Sequence, residues 1–282
     1  RFDRLTKKTG TNGSIEYAYD AKGNLKEIKD NINSNTENYT YDLADRLVKK
    51  ENTNGLKAEY FYDNNSNVNK TKYTLGTDSK ETRYNYDRDN RINSVITEND
   101  IKVTNYDRLS RIVNTQLKRN NKTYVTRYQY VDTEEPNRTT EKVKSIQNGE
   151  GTIISYTYDA NGNIETISEG EGEEKEETQK YYYDEIGQLI RENNKKENKT
   201  IVYTYDVGGN ITSKKEYAYT EGNIEGATVQ KTITYTYGNT NWKDQLTNYN
   251  GKAITYDAIG NPLTYDGQTY TWQNGRELGK IQ

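Results

Sequence analysis

The 43 Asp and Glu residues of this 282-residue chain are its most abundant acid–base groups, and it contains no His and no Cys. That absence removes Ser/His/Asp and Cys/His nucleophilic catalysis, thiolate or imidazole zinc sites, disulfides and thiol redox chemistry. A carboxylate pair is the remaining common hydrolytic device. It requires one carboxyl group buried with a raised pKa and held by a rigid site, and no non-repetitive segment offers such a site. Nor is there a Gly-x-x-x-x-Gly-Lys-Ser/Thr phosphate loop. The chain is therefore expected not to be an enzyme, with no catalytic, cofactor-binding or metal-binding residue assigned and no cofactor.

The aspartates that stand out do so by repetition: Asp20, Asp42, Asp63, Asp87, Asp107, Asp159, Asp184, Asp206 and Asp257. Each is the fourth residue of a Tyr-x-Tyr-Asp-x-x-Gly-Asn-Leu unit or a variant of it, the cleanest copy running from Tyr17 to Leu25. Decayed copies lie around Tyr130 to Asp132 and at Tyr237 and Gly238, and Phe2 to Leu5 reads as the tail of an interrupted one. With those two decayed copies counted, the mean spacing is roughly 24 residues, within the range of stacked-repeat architectures. A row of calcium ions on these aspartates would call for the Gly-Gly-x-Gly-x-Asp nonapeptide, which does not occur. Capping of turns is the simpler role.

The residues around each aspartate specify the element that carries it. Apolar residues alternate before it, as in Ile15, Tyr17, Tyr19; Ile154, Tyr156, Tyr158; Ile201, Tyr203, Tyr205; and Ile233, Tyr235, Tyr237. Period two predicts a strand with one buried face. Asp20 to Gly23 then suits a type I turn followed by a left-handed residue and a G1 bulge. At the position of Gly23 the other copies carry Asp45, Ser66, Asn90, Ser110, Gly162, Gly187, Gly209 and Gly260, none of them β-branched, as a positive φ demands. After one polar residue an apolar one opens the return strand in eight of nine copies: Leu25, Leu47, Val68, Ile92, Ile112, Ile164, Leu189 and Ile211.

Each repeat is thus a β-hairpin, marginal alone and in need of neighbours. Aromatic cross-strand pairs between the tyrosines of successive hairpins are expected to supply part of the contact. The expected fold is all-β: tandem hairpins in a continuous antiparallel sheet that native twist curves into a spiral. Tyr17, Tyr19, Tyr156, Tyr158, Tyr203, Tyr205 and Tyr256 pack the hairpins; Asp20, Gly23, Asp159, Gly162, Asp206, Gly209, Asp257 and Gly260 shape the turns. A propeller blade made from two repeats would need a second, alternating motif, and none is present.

Composition agrees with a Tyr-built wall. Only 30% of residues are hydrophobic and 29% are charged, with mean hydropathy −1.23, values usual for disordered chains. Twenty-eight tyrosines stand in for the missing aliphatics, each ring burying on the order of 150–250 Å². A net charge of −3 gives no nucleic-acid footprint, and no apolar run approaches the length of a membrane helix. The segment Glu169 to Glu177 reads as a solvated loop, Glu134 to Pro136 as another, and the stretch from Trp242 onward as shorter hairpins in the same wall. The organisation expected is one array over 1–282, regular over about 1–238 and variant over 239–282. A first residue of Arg1 rather than Met suggests a segment of a longer polypeptide.

The nine motif copies, and the run from Tyr235 through Trp242, Asp244, Gly251, Tyr256 to Pro262, Trp272, Gly275 and Arg276, resemble the RHS/YD-repeat family. That family includes bacterial polymorphic toxins and wall-associated RHS proteins, related to insecticidal toxin-complex shells and to teneurin barrels. The resemblance implies a ribbon spiralling into a hollow shell around a C-terminal toxin or effector. It also implies a secreted or cell-surface location in bacteria. The partner would then be the remainder of the same polypeptide, shell and cargo. The family's closing segment, rich in Asp-Pro and Gly-Arg signals with aspartates that cut the toxin free, is not matched: the only prolines are Pro136 and Pro262. No catalytic residue is carried over. The alternative is a cell-surface adhesion or carbohydrate-binding module in which tyrosines or Trp242 and Trp272 stack on cell-wall glycans.

Overall fold

The computed structural model describes residues 4–10, 13–132 and 140–282. Phe2 and Asp3 of the interrupted copy and the loop read at Glu134 to Pro136 lie outside the described residues. The described residues contain no α-helix; apart from a single 3₁₀ turn at Gly172–Glu174, the regular elements are strands. The chain divides into two compact units, Arg1–Tyr128 and Gln129–Gln282.

In the first unit the strands Lys7–Gly10, Gly13–Tyr19, Leu25–Asp30, Asn35–Tyr41, Leu47–Asn52, Leu56–Tyr62, Val68–Leu75, Asp78–Tyr86, Ile92–Ile96, Asp100–Tyr106 and Ile112–Arg119 pair antiparallel, each with its neighbour in the chain. Lys122–Tyr130 pairs back onto Ile112–Arg119. The second unit repeats the pattern with Val143–Asn148, Ile153–Tyr158, Ile164–Glu169, Glu176–Tyr183, Leu189–Asn194, Lys199–Tyr205, Ile211–Ala218 and Lys231–Thr236. Glu169, Glu176 and Glu177 are thus strand residues. The loop expected over Glu169 to Glu177 shortens to 170–175 because the flanking glutamates keep their ladder partners.

The closing residues differ more. Asn248–Tyr249 and Lys252–Ala253 continue the ladder as two-residue strands, whereas Thr255–Tyr256, Pro262–Tyr265, Gln268–Gln273 and Glu277–Ile281 form a four-stranded sheet of their own. The short hairpins are present, but ladder pairing stops between Ala253 and Thr255. The Ile254 N–H to Thr247 carbonyl bond (2.9 Å) bridges the break.

Neither face of these sheets is a dry core. Register places Ile28 opposite Tyr17, Lys50 opposite Tyr39 and Glu192 opposite Tyr181, so the tyrosine face carries charge among its rings. The tyrosines of the motif are half-buried, and the apolar residues buried among the described residues are Ala58, Ile201, Tyr217 and Ile233. The single buried face expected from the alternation is absent because these strands lack a second layer along most of their length. The exception is local. On the face opposite Tyr203, Thr200 and Asn193 are 0% and 1% exposed. There the Thr200 hydroxyl donates to the Thr220 carbonyl (3.0 Å), and Arg191 Nη2 donates to the same oxygen (2.7 Å). The irregular segment from Thr220 covers that patch.

The turns explain why the repeat tolerates so few residue types at one position. Gly23, Asp45, Ser66, Asn90, Ser110, Gly162, Gly187, Gly209 and Gly260 all take φ between 60° and 99°. A Cβ on Gly162 would meet only the end of the Lys142 side chain, 3.0 Å from Nζ, so space is not the constraint. Gly162→Val is expected to destabilise the second unit by about 1–3 kcal/mol through φ alone. Gly162→Asn, which tolerates left-handed backbone, should cost much less. Urea unfolding of the two variants checks this, and equal midpoints would refute the turn assignment.

Candidate functional site, the seams between hairpins

Each turn is built around its aspartate. Asp42 N–H donates to the Arg46 carbonyl (3.0 Å) and Asp45 N–H donates to the Asp42 carbonyl (3.1 Å), a pattern present at all nine motif aspartates. Asp42 Oδ1 accepts the backbone N–H groups of Ala44 (2.9 Å) and Arg46 (3.0 Å), while Oδ2 accepts Arg46 Nε (2.7 Å). Asp159 does the same with Asn161 and Asn163, and Asp206 with Gly208 and Asn210. Asp20 and Asp257 bond Asn24 and Asn261 in the same way. Both carboxylate oxygens are committed to the turn. Among the described residues no group of three or more acidic side chains is placed to hold a metal ion.

The residue four after the aspartate has a second task. Asn24 Nδ2 reaches Asp45 Oδ1 of the following turn (3.1 Å), Arg46 Nη1 reaches Ser66 Oγ (3.0 Å), and Arg91 Nη1 reaches Ser110 Oγ (2.8 Å). Asn210 donates to Asp244 (3.1 Å) and Asn261 to the Gly275 carbonyl (2.7 Å). The arginines also lie over the next motif tyrosine, Arg46 at 4.5 Å from the Tyr62 ring centre and Arg91 at 4.5 Å from that of Tyr106. Position four is Asn or Arg in eight of nine copies. That regularity was visible in the sequence, where only its polarity was used.

The tyrosine beside the aspartate points the other way along the chain. Its hydroxyl donates to the carbonyl of the residue that opens the preceding return strand: Tyr41 to Leu25 (2.9 Å), Tyr62 to Leu47 (2.7 Å), Tyr86 to Val68 (2.8 Å), and Tyr106 to Ile92 (2.9 Å). The second unit continues with Tyr158 to Val143 (2.8 Å), Tyr183 to Ile164 (2.9 Å), Tyr205 to Leu189 (2.7 Å) and Tyr237 to Ile211 (3.2 Å). Tyr19 reaches Leu5 (2.9 Å) and Tyr256 reaches Leu246 (2.6 Å). Strand pairing across these seams begins two residues later, at Glu27, Lys49, Lys70 and Arg191. The hydroxyl therefore meets a carbonyl in the gap where neighbouring strands have parted.

Trp272 performs the same task, its Nε1–H donating to the Pro262 carbonyl (2.6 Å). Neither this substitution nor the acceptor role of Leu246 was foreseen. Trp242 lies instead against the Gly260 turn, where a Cβ would fall 2.4 Å from its ring. In the decayed copy, Asn239 Oδ1 takes over from aspartate, accepting N–H from Asn241 (2.9 Å) and Trp242 (3.1 Å). Ring-on-ring contact of the expected kind occurs in the closing hairpins, at Tyr235–Tyr249 (5.3 Å) and Tyr249–Tyr265 (6.2 Å). Elsewhere the described seams run through hydroxyl and carbonyl.

The outer tyrosine of each pair, Tyr17, Tyr156 or Tyr203, sits two residues further from the turn. Burial first, and then the carboxylate of Glu192, pushes Tyr203 up to about 12. The Tyr203 hydroxyl donates to Glu192 Oε2 (3.5 Å), so a glutamate and a phenol are paired on the tyrosine face.

Two measurements test the seams. Tyr205→Phe removes one hydroxyl and leaves the Leu189 carbonyl unmatched, so a loss of about 1 kcal/mol is expected in urea; an unchanged midpoint would show the bond to be idle. The second is acid sensitivity. Backbone and side-chain bonds from Arg46 hold Asp42 below the usual carboxylate range, and Asn163 and Asn210 do the same for Asp159 and Asp206. At Asp20, Asp107 and Asp257 partial burial pushes upward and is outweighed by the same kind of bond. A carboxylate whose folded pKa is depressed contributes stability above its unfolded value of about 3.9, which is lost as pH falls through the folded value. The thermal midpoint should be level from pH 8 to 5 and fall below about pH 4; a profile flat to pH 2 would contradict this.

No protein-family model and no curated protein matches the sequence. Among solved structures, the chain is similar to one in a crystal structure of TcdB2-TccC3-TEV, with 13% identity, a TM-score of 0.45 and coverage of 95% of this chain and 19% of that one. A mutant Photorhabdus luminescens Tc holotoxin pore gives 14%, 0.49, 98% and 18%, and TcdB2-TccC3 gives 14%, 0.44, 97% and 19%. This chain spans about a fifth of the length of the chains it matches. What its own residues build is an all-β antiparallel array of Tyr-Asp hairpins, the architecture that the resemblance to RHS/YD repeats implies.

Proposed function

We propose that this chain is wall material, a section of an RHS/YD-type shell that encloses a C-terminal toxin or effector of a secreted or cell-surface bacterial protein. The observation that carries the reading is the seam: the same hydroxyl-to-carbonyl bond ties hairpin to hairpin in both units. A structure whose recurrent polar groups are spent on joining identical elements is suited to extension. The motif carboxylates accept hydrogen bonds from their own turns, as Asp42, Asp159 and Asp206 show. The role is mechanical, the array runs over 1–282 as one tandem series, and its partner is the rest of its own polypeptide.

The competing reading, adhesion to a glycan or cell wall, draws on the half-exposed tyrosines of one face. Electron microscopy of the full-length parent protein separates the two. A closed hollow particle with density inside is the expected result. An open particle with its tyrosine face bare to solvent would overturn the enclosure reading in favour of adhesion.

A further inference from the structure

Two copies of the motif depart from the others on the face opposite the paired tyrosines. The residue just before the inner tyrosine is Ala, Thr or Asn in the other copies, whereas Phe61 and Tyr182 put an aromatic ring there. Register sets a cation against each ring, Lys70 opposite Phe61 and Arg191 opposite Tyr182. Lys70 Nζ lies 4.0 Å from the Phe61 ring centre, and the Arg191 guanidinium 5.4 Å from that of Tyr182.

In the second unit this ring and cation have an occupant. Arg191 Nη2 donates to the Thr220 carbonyl (2.7 Å), and the next residue, Glu221, reaches Lys195 (3.6 Å). The occupying segment is acidic: Glu221 and Glu225 are its charged residues up to Gln230. The first unit differs. Its strands Leu56–Tyr62 and Val68–Leu75 touch only their ladder neighbours among the described strands, and Phe61 is 40% exposed.

The charge around Phe61 complements such a segment. On this face Leu56–Tyr62, Val68–Leu75 and Asp78–Tyr86 carry Lys57, Lys70, Lys72 and Arg83 against Glu59 and Glu81. Glu59 is held by Lys57 (2.8 Å), while Glu81 is shared between Lys70 (3.6 Å) and Arg83 (3.7 Å). Lys70 directly faces Arg83 across the ladder. Like charges so placed destabilise a sheet, and one shared carboxylate offsets them only in part.

We propose that Phe61, Lys70 and Arg83 form a docking surface for an extended acidic peptide segment of a partner protein, seated as the segment from Thr220 is seated on Arg191. Lys70 and Arg83 would take its carboxylates and carbonyls, and Phe61 its apolar side chain. This inference goes beyond the wall reading and holds whether or not the wall encloses anything.

The test uses the full chain and a labelled synthetic peptide with the sequence of Tyr219–Gln230, alongside the same peptide carrying E221Q and E225Q. Fluorescence anisotropy should show saturable binding of the first peptide, weakened about tenfold in the double variant K70Q/R83Q. It should fade between about 0.05 and about 0.5 M salt as exposed charges are screened. Phe61→Thr, which installs the residue found at Thr40 and Thr157 in other copies, should weaken binding about threefold while the urea midpoint holds. A benzophenone at the position of Ile224 in the peptide should crosslink within 57–85. Equal binding of the two peptides, or binding indifferent to K70Q/R83Q, would overturn the proposal. So would crosslinks at 180–202, where the peptide would merely replace its own segment. A chain that ignores the peptide but binds polygalacturonate through Lys70 and Arg83 would overturn it in favour of an anionic glycan.

Discussion

A neutral hydroxyl-to-carbonyl hydrogen bond contributes only about 1 kcal/mol net, yet the placement of this one decides how the hairpins join. The G1 turn adds a residue to the return strand, and register slips where the strand begins, at Leu25, Leu47, Val68 or Leu189. Across the seam, ladder pairing has not yet started at those residues. Their carbonyls would face the widening gap between hairpins. A tyrosine ring has the length to cross that gap and the hydroxyl to end on the carbonyl, which neither phenylalanine nor serine combines. Trp272 shows that reach and a donor matter more than the ring itself.

A second link runs in the opposite direction. Tyrosine ties each hairpin back to the one before, while the Asn or Arg four residues after the aspartate ties its turn forward to the next. The aspartate sits between them. Its Oδ1 shapes the turn and its Oδ2 orients the forward-reaching side chain. Arg46 and Arg91 then lie over the rings of Tyr62 and Tyr106, so the two links close on each other at the next seam.

Much of this was legible in sequence because it is local. Alternation at Tyr17 and Tyr19, aspartate at the turn and an unbranched residue at the position of Gly23 are consequences of backbone geometry within one hairpin. The target of the Tyr41 hydroxyl lies 16 residues away, and the meeting point depends on a register slip that no single motif announces. Position four carried its signal openly, but a run of Asn and Arg acquires meaning only once the following turn is in place. The expectation of one buried face failed for another reason. Alternation shows which residues share a face, whereas Lys50 and Glu192, opposite Tyr39 and Tyr181, show that the shared face need not be dry. Burial of Asn193 and Thr200 depends on the segment from Thr220, which is distant in sequence and bears no apolar pattern.

The shortage of buried apolar side chains has a thermodynamic corollary. Unfolding raises heat capacity through newly exposed apolar surface and lowers it through newly exposed polar surface. The described residues fully bury few apolar side chains, Ala58, Ile201, Tyr217 and Ile233, against a longer roll of Thr, Ser, Asn and Gln, so the heat-capacity increment per residue is smaller than in a protein with a dry core. The stability curve of such a protein is correspondingly shallow.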